Sequence, residues 1–253
     1  MRRLIGISLY AVCLLATIIL FSDQIFAQKN VIKGNQQWLH DYNQTKLSER
    51  WTLLIDGGYR WEEDLTHRIQ YMMRAAGGFL IGPGIRIAAG VGHWASYGEF
   101  EVEVAEIRPH QELTVQHKSK VNFSQRLRIE ERFVKATSNN DNQFDRFNWR
   151  FRYSIGCAIP IIKSFGANQQ MALNFLLADE VMINAGKKVV YNVFDQNRII
   201  IGTEWQLNSN LGVSLAYQGR FSSLNLPSQY AYNHILWFAV KHKLDLTKTA
   251  VAP

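Results

Sequence analysis

The chain is poor in residues that staple, hinge or ligate. It has two cysteines in 253 residues. Cys13 sits within an apolar N-terminal run, too early for a lipoprotein cysteine. Processing of that run would leave Cys157 alone, which excludes an intrachain disulfide. There are only five prolines, and no Pro/Ser-rich or low-complexity stretch marks a domain linker. Gly77-Gly78 and Gly82-Pro83-Gly84 read as a strand end and a turn, so no phosphate-cradling loop is present. Beyond the N-terminus no apolar run is long enough for a membrane helix.

Catalytic and metal signatures are equally thin. His110 with Glu106 and Glu112 would share a strand face, but Arg108 between them favours ion pairing over a metal. No metal, cofactor or catalytic residue is therefore expected. His93 with Ser96, or His117 with Ser119, could be imagined as hydrolase pairs, yet no nucleophile motif surrounds either serine. Lysine and arginine number 28 against 21 acids, a formal charge of +7. The arginines are spread at strand spacing and not gathered in a run, and no nucleic-acid motif accompanies them.

What the chain has is a two-residue alternation. From Trp51 to Trp61 the odd positions are Trp51, Leu53, Ile55, Gly57, Tyr59 and Trp61, and the even ones include Thr52, Asp56 and Arg60. One face is apolar and edged by aromatics; the other carries charge. The contrast recurs along the chain.

Residues 1–27 read as a cleaved signal peptide. Arg2 and Arg3 form the basic start, residues 4–21 the apolar run, and Ile25-Phe26-Ala27 a small-residue cleavage site. The rival is an N-terminal membrane helix. Residues 28–253 then form one domain.

The patterning predicts eleven strands, over roughly 35–44, 47–61, 66–80, 84–94, 103–116, 119–134, 145–159, 169–184, 194–207, 210–221 and 232–244. Most are longer than the five or six residues usual in soluble proteins, and long enough to cross a bilayer. Tight joints follow the odd-numbered strands and longer ones the even-numbered. That is the asymmetry of outer-membrane barrels, with short periplasmic turns and longer external loops. A chain entering from the periplasm needs one more upward strand, placed at residues 28–34. The expected fold is thus all-β: a transmembrane antiparallel up-and-down barrel of twelve strands, with ten as the alternative.

Trp51 and Trp61 share a face ten residues apart. At about 3.3 Å per residue and a tilt near 40° they span roughly 25 Å, the height of a lipid-facing band between aromatic girdles. Phe123 and Phe133 repeat the spacing, and Trp149, Trp205 and Trp237 are further outward candidates. A soluble sandwich or barrel core is the competing explanation for such a stripe.

The other face would line the lumen. The fifth strand gives Glu106, Arg108, His110 and Glu112, and the sixth Arg126, Arg128, Glu130 and Arg132. The seventh gives Arg146, Arg150 and Arg152. Glu180, Arg198, Glu204 and Arg220 follow, with Asp56, Arg60, Arg68, Arg74 and Arg86 earlier. Arginine forks suit cross-strand pairing with carboxylates. The lumen is then either plugged by interlocked pairs or a basic-lined path that favours anions. Three residues break the pattern. Pro109 and Gln111 fall on the lipid face, with a bulge expected near Pro109, and Asp179 falls outward unless a bulge near Ala178 shifts it.

Four stretches together resemble a bacterial family known as domain of unknown function 2490. They are Glu106-Ile107-Arg108-Pro109-His110-Gln111-Glu112, Leu127 to Phe133, Arg146 to Tyr153, and Phe194-Asp195-Gln196-Asn197-Arg198. The resemblance implies an outer-membrane barrel without an assigned activity. The reading is then a barrel in the cell outer membrane, structural or a narrow anion-favouring channel. Its partners would be outer-membrane lipid and, during biogenesis, periplasmic chaperones and the barrel-assembly machinery. Competing classes are an outer-leaflet lipid hydrolase and a soluble periplasmic binding protein.

Overall fold

The computed structural model describes residues 30–99, 101–137, 144, 146–165 and 171–247. The expected signal peptide, residues 1–27, lies outside them. Among the described residues eleven strands run in order: β1 (Asn30–Lys46), β2 (Trp51–Glu62), β3 (His67–Gly82), β4 (Ile85–Tyr97), β5 (Val102–His117), β6 (Asn122–Ala136), β7 (Arg146–Phe165), β8 (Met171–Ala185), β9 (Phe194–Gln206), β10 (Leu211–Ser223) and β11 (Gln229–Asp245). Each pairs with its sequence neighbour, and β1 and β11 close the barrel.

The strand count differs from the twelve expected. Asn30–Lys46 is one continuous strand, so residues placed in a separate first strand instead extend β1. The ten sequential pairings are antiparallel. With eleven strands, β1 and β11 must then run the same way. Side-chain contacts agree with that direction. A Cβ on Gly34 would lie 2.9 Å from Asn233 Oδ1, and His242 Nε2 lies 3.0 Å from Asp41 Oδ2. The numbers rise together on both strands, which marks a parallel seam.

Tight joints do follow the odd strands. The shortest, between Gly82 and Ile85, has Pro83 and Gly84 as its two central residues, with Gly84 at φ 72°. Proline then glycine is the signature of a type II turn, whose second central residue needs a left-handed backbone. At the opposite end the longer joints are residues 137–145 and 186–193. The joints at 63–66, 98–101 and 224–228, expected to be longer, are as short as most of those after the odd strands; residues 63–66 turn through left-handed Glu63, Asp64 and Leu65.

The two-residue period sorts the wall. Leu39, Ile55, Ile87, Leu113, Leu127, Phe151, Ile155, Leu177, Ile201 and Phe238 are exposed on the outside. Glu106, Arg108, His110, Arg128, Glu130, Arg150, Arg152 and Glu180 are buried inside. This inverts the arrangement of a water-soluble protein, whose large apolar side chains turn inward. Cys157 belongs to the outer face, across from Phe123 and Leu177.

Candidate functional site

The interior is built by register. β5 and β6 place His110 beside Glu130 and Glu112 beside Arg128. β6 and β7 place Arg128 beside Arg152 and Glu130 beside Arg150, and β8 sets Glu180 opposite Arg198 on β9. Charges brought this close across a ladder must alternate in sign or repel. Here the like pair Arg128 and Arg152 is compensated, each arginine being held by carboxylates. Arg152 donates to Glu130 Oε1 at 2.6 Å and to Glu180 Oε1 at 2.8 Å. Arg126 reaches Glu180 at 2.7 Å. Arg128 donates to Glu112 at 2.5 Å. Glu106 holds Arg108 at 2.7 Å and Arg132 at 2.8 Å. Arg74 grips Asp56 through Nε and Nη2. Nearer the tight-turn end, Lys241 pairs with Glu204.

Two aromatic side chains extend the network. Arg108 lies 4.0 Å above the Trp94 ring. Arg60, Arg198 and Arg220 gather round Trp38, at 3.9, 5.3 and 5.5 Å from its ring centroid. A cation over an indole face is attracted by the ring quadrupole.

The interior retains space. A cavity of about 270 Å³ lies at mid-barrel among Trp38, Arg60, Arg108, Arg152, Glu180 and Arg220. A second of about 190 Å³ sits toward the long loops, sharing Glu106 and Arg132 with it. A third of about 550 Å³ extends toward the tight turns at His117 and Lys118, sharing Tyr42, Arg126 and Trp237. The mid-barrel cavity thus shares lining residues with each of the other two.

Eighteen of the twenty charged residues expected in the lumen line or close off this interior. Arg146 is exposed near the rim, beside Asn148 and Lys188. Arg68 is also exposed, its guanidinium over the Tyr97 ring. A shift in the β2–β3 register after Arg60 carries it to the outer side.

Among the aromatics, Trp51 and Phe123 stand exposed near the tight turns, and Trp205 pairs with Val213 on the outward row there. Near the loops Trp61 stacks on Tyr59, and Phe133, Phe147 and Trp149 form a cluster. Trp237, expected outward, is turned inward. β10 pairs Gln218 with Ile235 and Ala216 with Trp237, so the odd residues of β11 share the lumen side with Gln218. Its ring packs at 5.7 Å on His40. Leu236 and Phe238, on the other face, are as apolar as Ile235 and Trp237, so alternation could not choose between them.

The bulge expected near Pro109 is absent. β4 and β5 pair without a shift through Pro109. On the β6 side the Arg108 and Pro109 positions drop out of the ladder and the register resumes at His110, the local cost of a missing N–H. Asp179 faces outward with no shift beside it, and accepts a 2.5 Å bond from Asn197. A bulge does occur between Met182 and Ile183. It leaves Asp195 as the extra residue opposite them. Asp195 and Gln196 are both buried, and Asp195 binds Arg150. A strict period could not place both inside.

The imagined hydrolase pairs do not assemble. His93 lies in the outward row beside Tyr71, while Ser96 Oγ accepts from Gln70. Ser119 Oγ donates to the Val121 carbonyl. Among the described residues no His–Ser hydrogen bond and no metal-holding cluster of His, Cys, Asp or Glu occurs.

A family model described as "Protein of unknown function (DUF2490)" matches residues 35–230. The chain belongs to the DUF2490 family. No curated protein and no solved structure matches it. In this DUF2490 protein the site residues that sequence reasoning missed are Gln36, Trp38, His40 and Asp195. Even-numbered Gln36, Trp38, His40 and Tyr42 form one polar and aromatic row. That row was the available signal in β1.

Proposed function

We propose that this protein is a barrel of the bacterial outer membrane whose narrow, arginine-rich interior favours anions. The observation that carries the reading is the inversion of the wall. In water, a girdle of exposed leucine, isoleucine and phenylalanine would drive association. In lipid the same girdle is the stable surface, and polar groups belong inside. The outward polar breaks have lateral partners, Asp179 with Asn197 and Gln111 with Glu131, which lowers the cost of facing hydrocarbon. In this setting residues 1–27 serve as the export signal, and the tight turns face the periplasm. The partners are outer-membrane lipid and, during biogenesis, periplasmic chaperones and the barrel-assembly machinery.

A purely structural barrel is the second reading. Arg152 on β7 bridges Glu130 on β6 and Glu180 on β8, and side chains held inward in this way narrow any path. Single-channel recording of the refolded protein in a planar bilayer decides between them. Small, steady, anion-selective steps are expected. A silent bilayer containing folded protein refutes the path and leaves the structural barrel. Charge reversal to test selectivity belongs at Arg60 and Arg220. Arg128 and Arg150 are unsuitable because each is locked to a carboxylate, Glu112 or Asp195.

A further inference from the structure

The arginines of this barrel fall into two sets. On the β5–β8 wall each buried arginine meets a carboxylate. On the β9–β10–β1–β2 side, three arginines are held by glutamine instead. Arg60 Nη1 donates to Gln70 Oε1 at 2.5 Å. Arg198 donates through Nε and Nη2 to Gln196 Oε1, both at 3.3 Å. Arg220 Nη2 donates to Gln36 Oε1 at 3.2 Å. An amide carbonyl orients a guanidinium as a carboxylate does, without cancelling its charge. Among the described residues neither Arg60 nor Arg220 has a carboxylate within salt-bridge reach. Arg198 has only Glu180, at 3.6 Å, and Glu180 is already shared with Arg126 and Arg152.

The same side carries donors with no partner in the protein. Arg60 Nε, Arg220 Nε, Gln218 Nε2 and Trp237 Nε1 are buried and unbonded, as is His40 Nδ1, a donor or acceptor by tautomer; Arg86 Nε, Arg126 Nε and Arg128 Nη1 elsewhere in the barrel are unbonded too. Gln218 is 1 % exposed and His40 4 %. The five residues on this side line the cavity of about 270 Å³. Leaving a buried donor unmet costs about 1–3 kcal/mol, and with these residues gathered round one space a small side-chain rotation would bring the donors onto an acceptor admitted there. The wall is cut to seat this group. A Cβ on Gly58 would fall 2.0 Å from His40 Cδ2, so only glycine lets the imidazole lie there against Trp38.

We propose that this cavity is a binding site for a compact, multiply charged oxyanion of the phosphate class. Two cations without a carboxylate and a third that only shares one, around one indole, call for more than one negative charge. The donors come from β1, β2, β10 and β11, hence from several directions. A tetrahedral oxyanion offers acceptors in several directions, whereas a single carboxylate is matched by one guanidinium fork. The site deepens the anion-favouring reading and rests on it for access from solvent.

The test is isothermal titration calorimetry of inorganic phosphate into the full mature chain folded in detergent micelles, with citrate and chloride as comparison anions. One saturable phosphate site is expected, with chloride ineffective. Gln70→Glu and Gln196→Glu supply the missing carboxylates in nearly the same shape, and each should weaken phosphate binding tenfold or more while the barrel stays folded. Arg220→Gln is the second probe should either glutamate variant misfold. No phosphate binding by folded protein, binding untouched by these variants, or preference for citrate overturns the proposal. Bilayer conductance is read separately. Conductance in a protein that does not bind phosphate refutes this site alone, and phosphate binding in a silent barrel refutes only the path.

Discussion

Replacing Glu180 by glutamine tests whether the interior network is a dry, coupled structure. Glu180 is 4 % exposed. It accepts from Arg126 at 2.7 Å, from Arg152 at 2.8, 3.0 and 3.1 Å, and faces Arg198 at 3.6 Å. Glutamine keeps the shape but turns one oxygen into an N–H₂ aimed at guanidiniums. Arg152 would retain Glu130 at 2.6 Å and Arg126 only a distant Glu112 at 3.9 Å. Arg198 would lose its carboxylate. Removing one member of a buried ion pair costs about 3–5 kcal/mol. Part of that is offset because Arg152 keeps its second carboxylate. The expected loss is about 3 kcal/mol, over a hundredfold in the folding equilibrium. Urea unfolding of the protein in lipid, at constant m, measures it. A double-mutant cycle with Arg152→Gln should show coupling above about 1 kcal/mol. A loss under about 0.5 kcal/mol would mean the network is screened like a surface pair, and the reasoning fails.

Three other outcomes follow from the same geometry. Leu127→Arg, on the outward face, should cost about 2–4 kcal/mol in a bilayer. A change within about 0.5 kcal/mol, as at an ordinary water-facing site, would count against lipid contact. Gly90→Ala sets a Cβ 2.2 Å from the Ala75 carbonyl and 2.5 Å from Ala76 Cβ. Overpacking of about 1–3 kcal/mol is expected by the same urea assay, and an unchanged midpoint would mean the β3–β4 wall can yield. Oxidation of two double-cysteine variants, Gly34→Cys with Asn233→Cys and Asp41→Cys with His242→Cys, should cross-link β1 to β11 in both, in a Cys157→Ser background. An antiparallel closure would allow at most one of these links, so a single product points to a different final strand.

The barrel was legible in the sequence because the outward and inward faces differ so sharply. In β5, β6 and the first half of β7 apolar residues alternate with charges, and a one-residue slip would turn arginine outward. Strand positions follow from that contrast. It fails where both faces are alike. In β11, Ile235, Leu236, Trp237 and Phe238 are all apolar, and only pairing with Gln218 on β10 reveals which face is inside. It fails again at the bulge, where Asp195 and Gln196 both turn inward because the partner strand shifts between Met182 and Ile183. The number of strands was a matter of closure and not of local pattern. Asn30 to Gly34 is strand-like either as a separate strand or as the start of β1, and only the contacts with Asn233 and His242 distinguish the two.

The candidate site shows a deeper limit. Counting charges along the strands finds an excess of arginine but not where that excess lies. Arg152 and Arg220 look equivalent in sequence, since each sits at an inward position of a long strand. Their difference comes from partners far away in the chain. Arg152 meets Glu130 and Glu180, 22 and 28 residues distant, while Arg220 meets Gln36 across 184 residues and the closing seam. Glutamine at positions 36, 70 and 196 reads as an ordinary polar residue until closure sets each against an arginine. Once it does, the identity of that side chain decides the chemistry. With glutamate there the β9–β10–β1–β2 side would be neutral like the β5–β8 wall, and the barrel a fully paired plug. With glutamine the same geometry leaves Arg60 and Arg220 without a carboxylate and Arg198 with a shared one, which is the charge the proposed anion would meet.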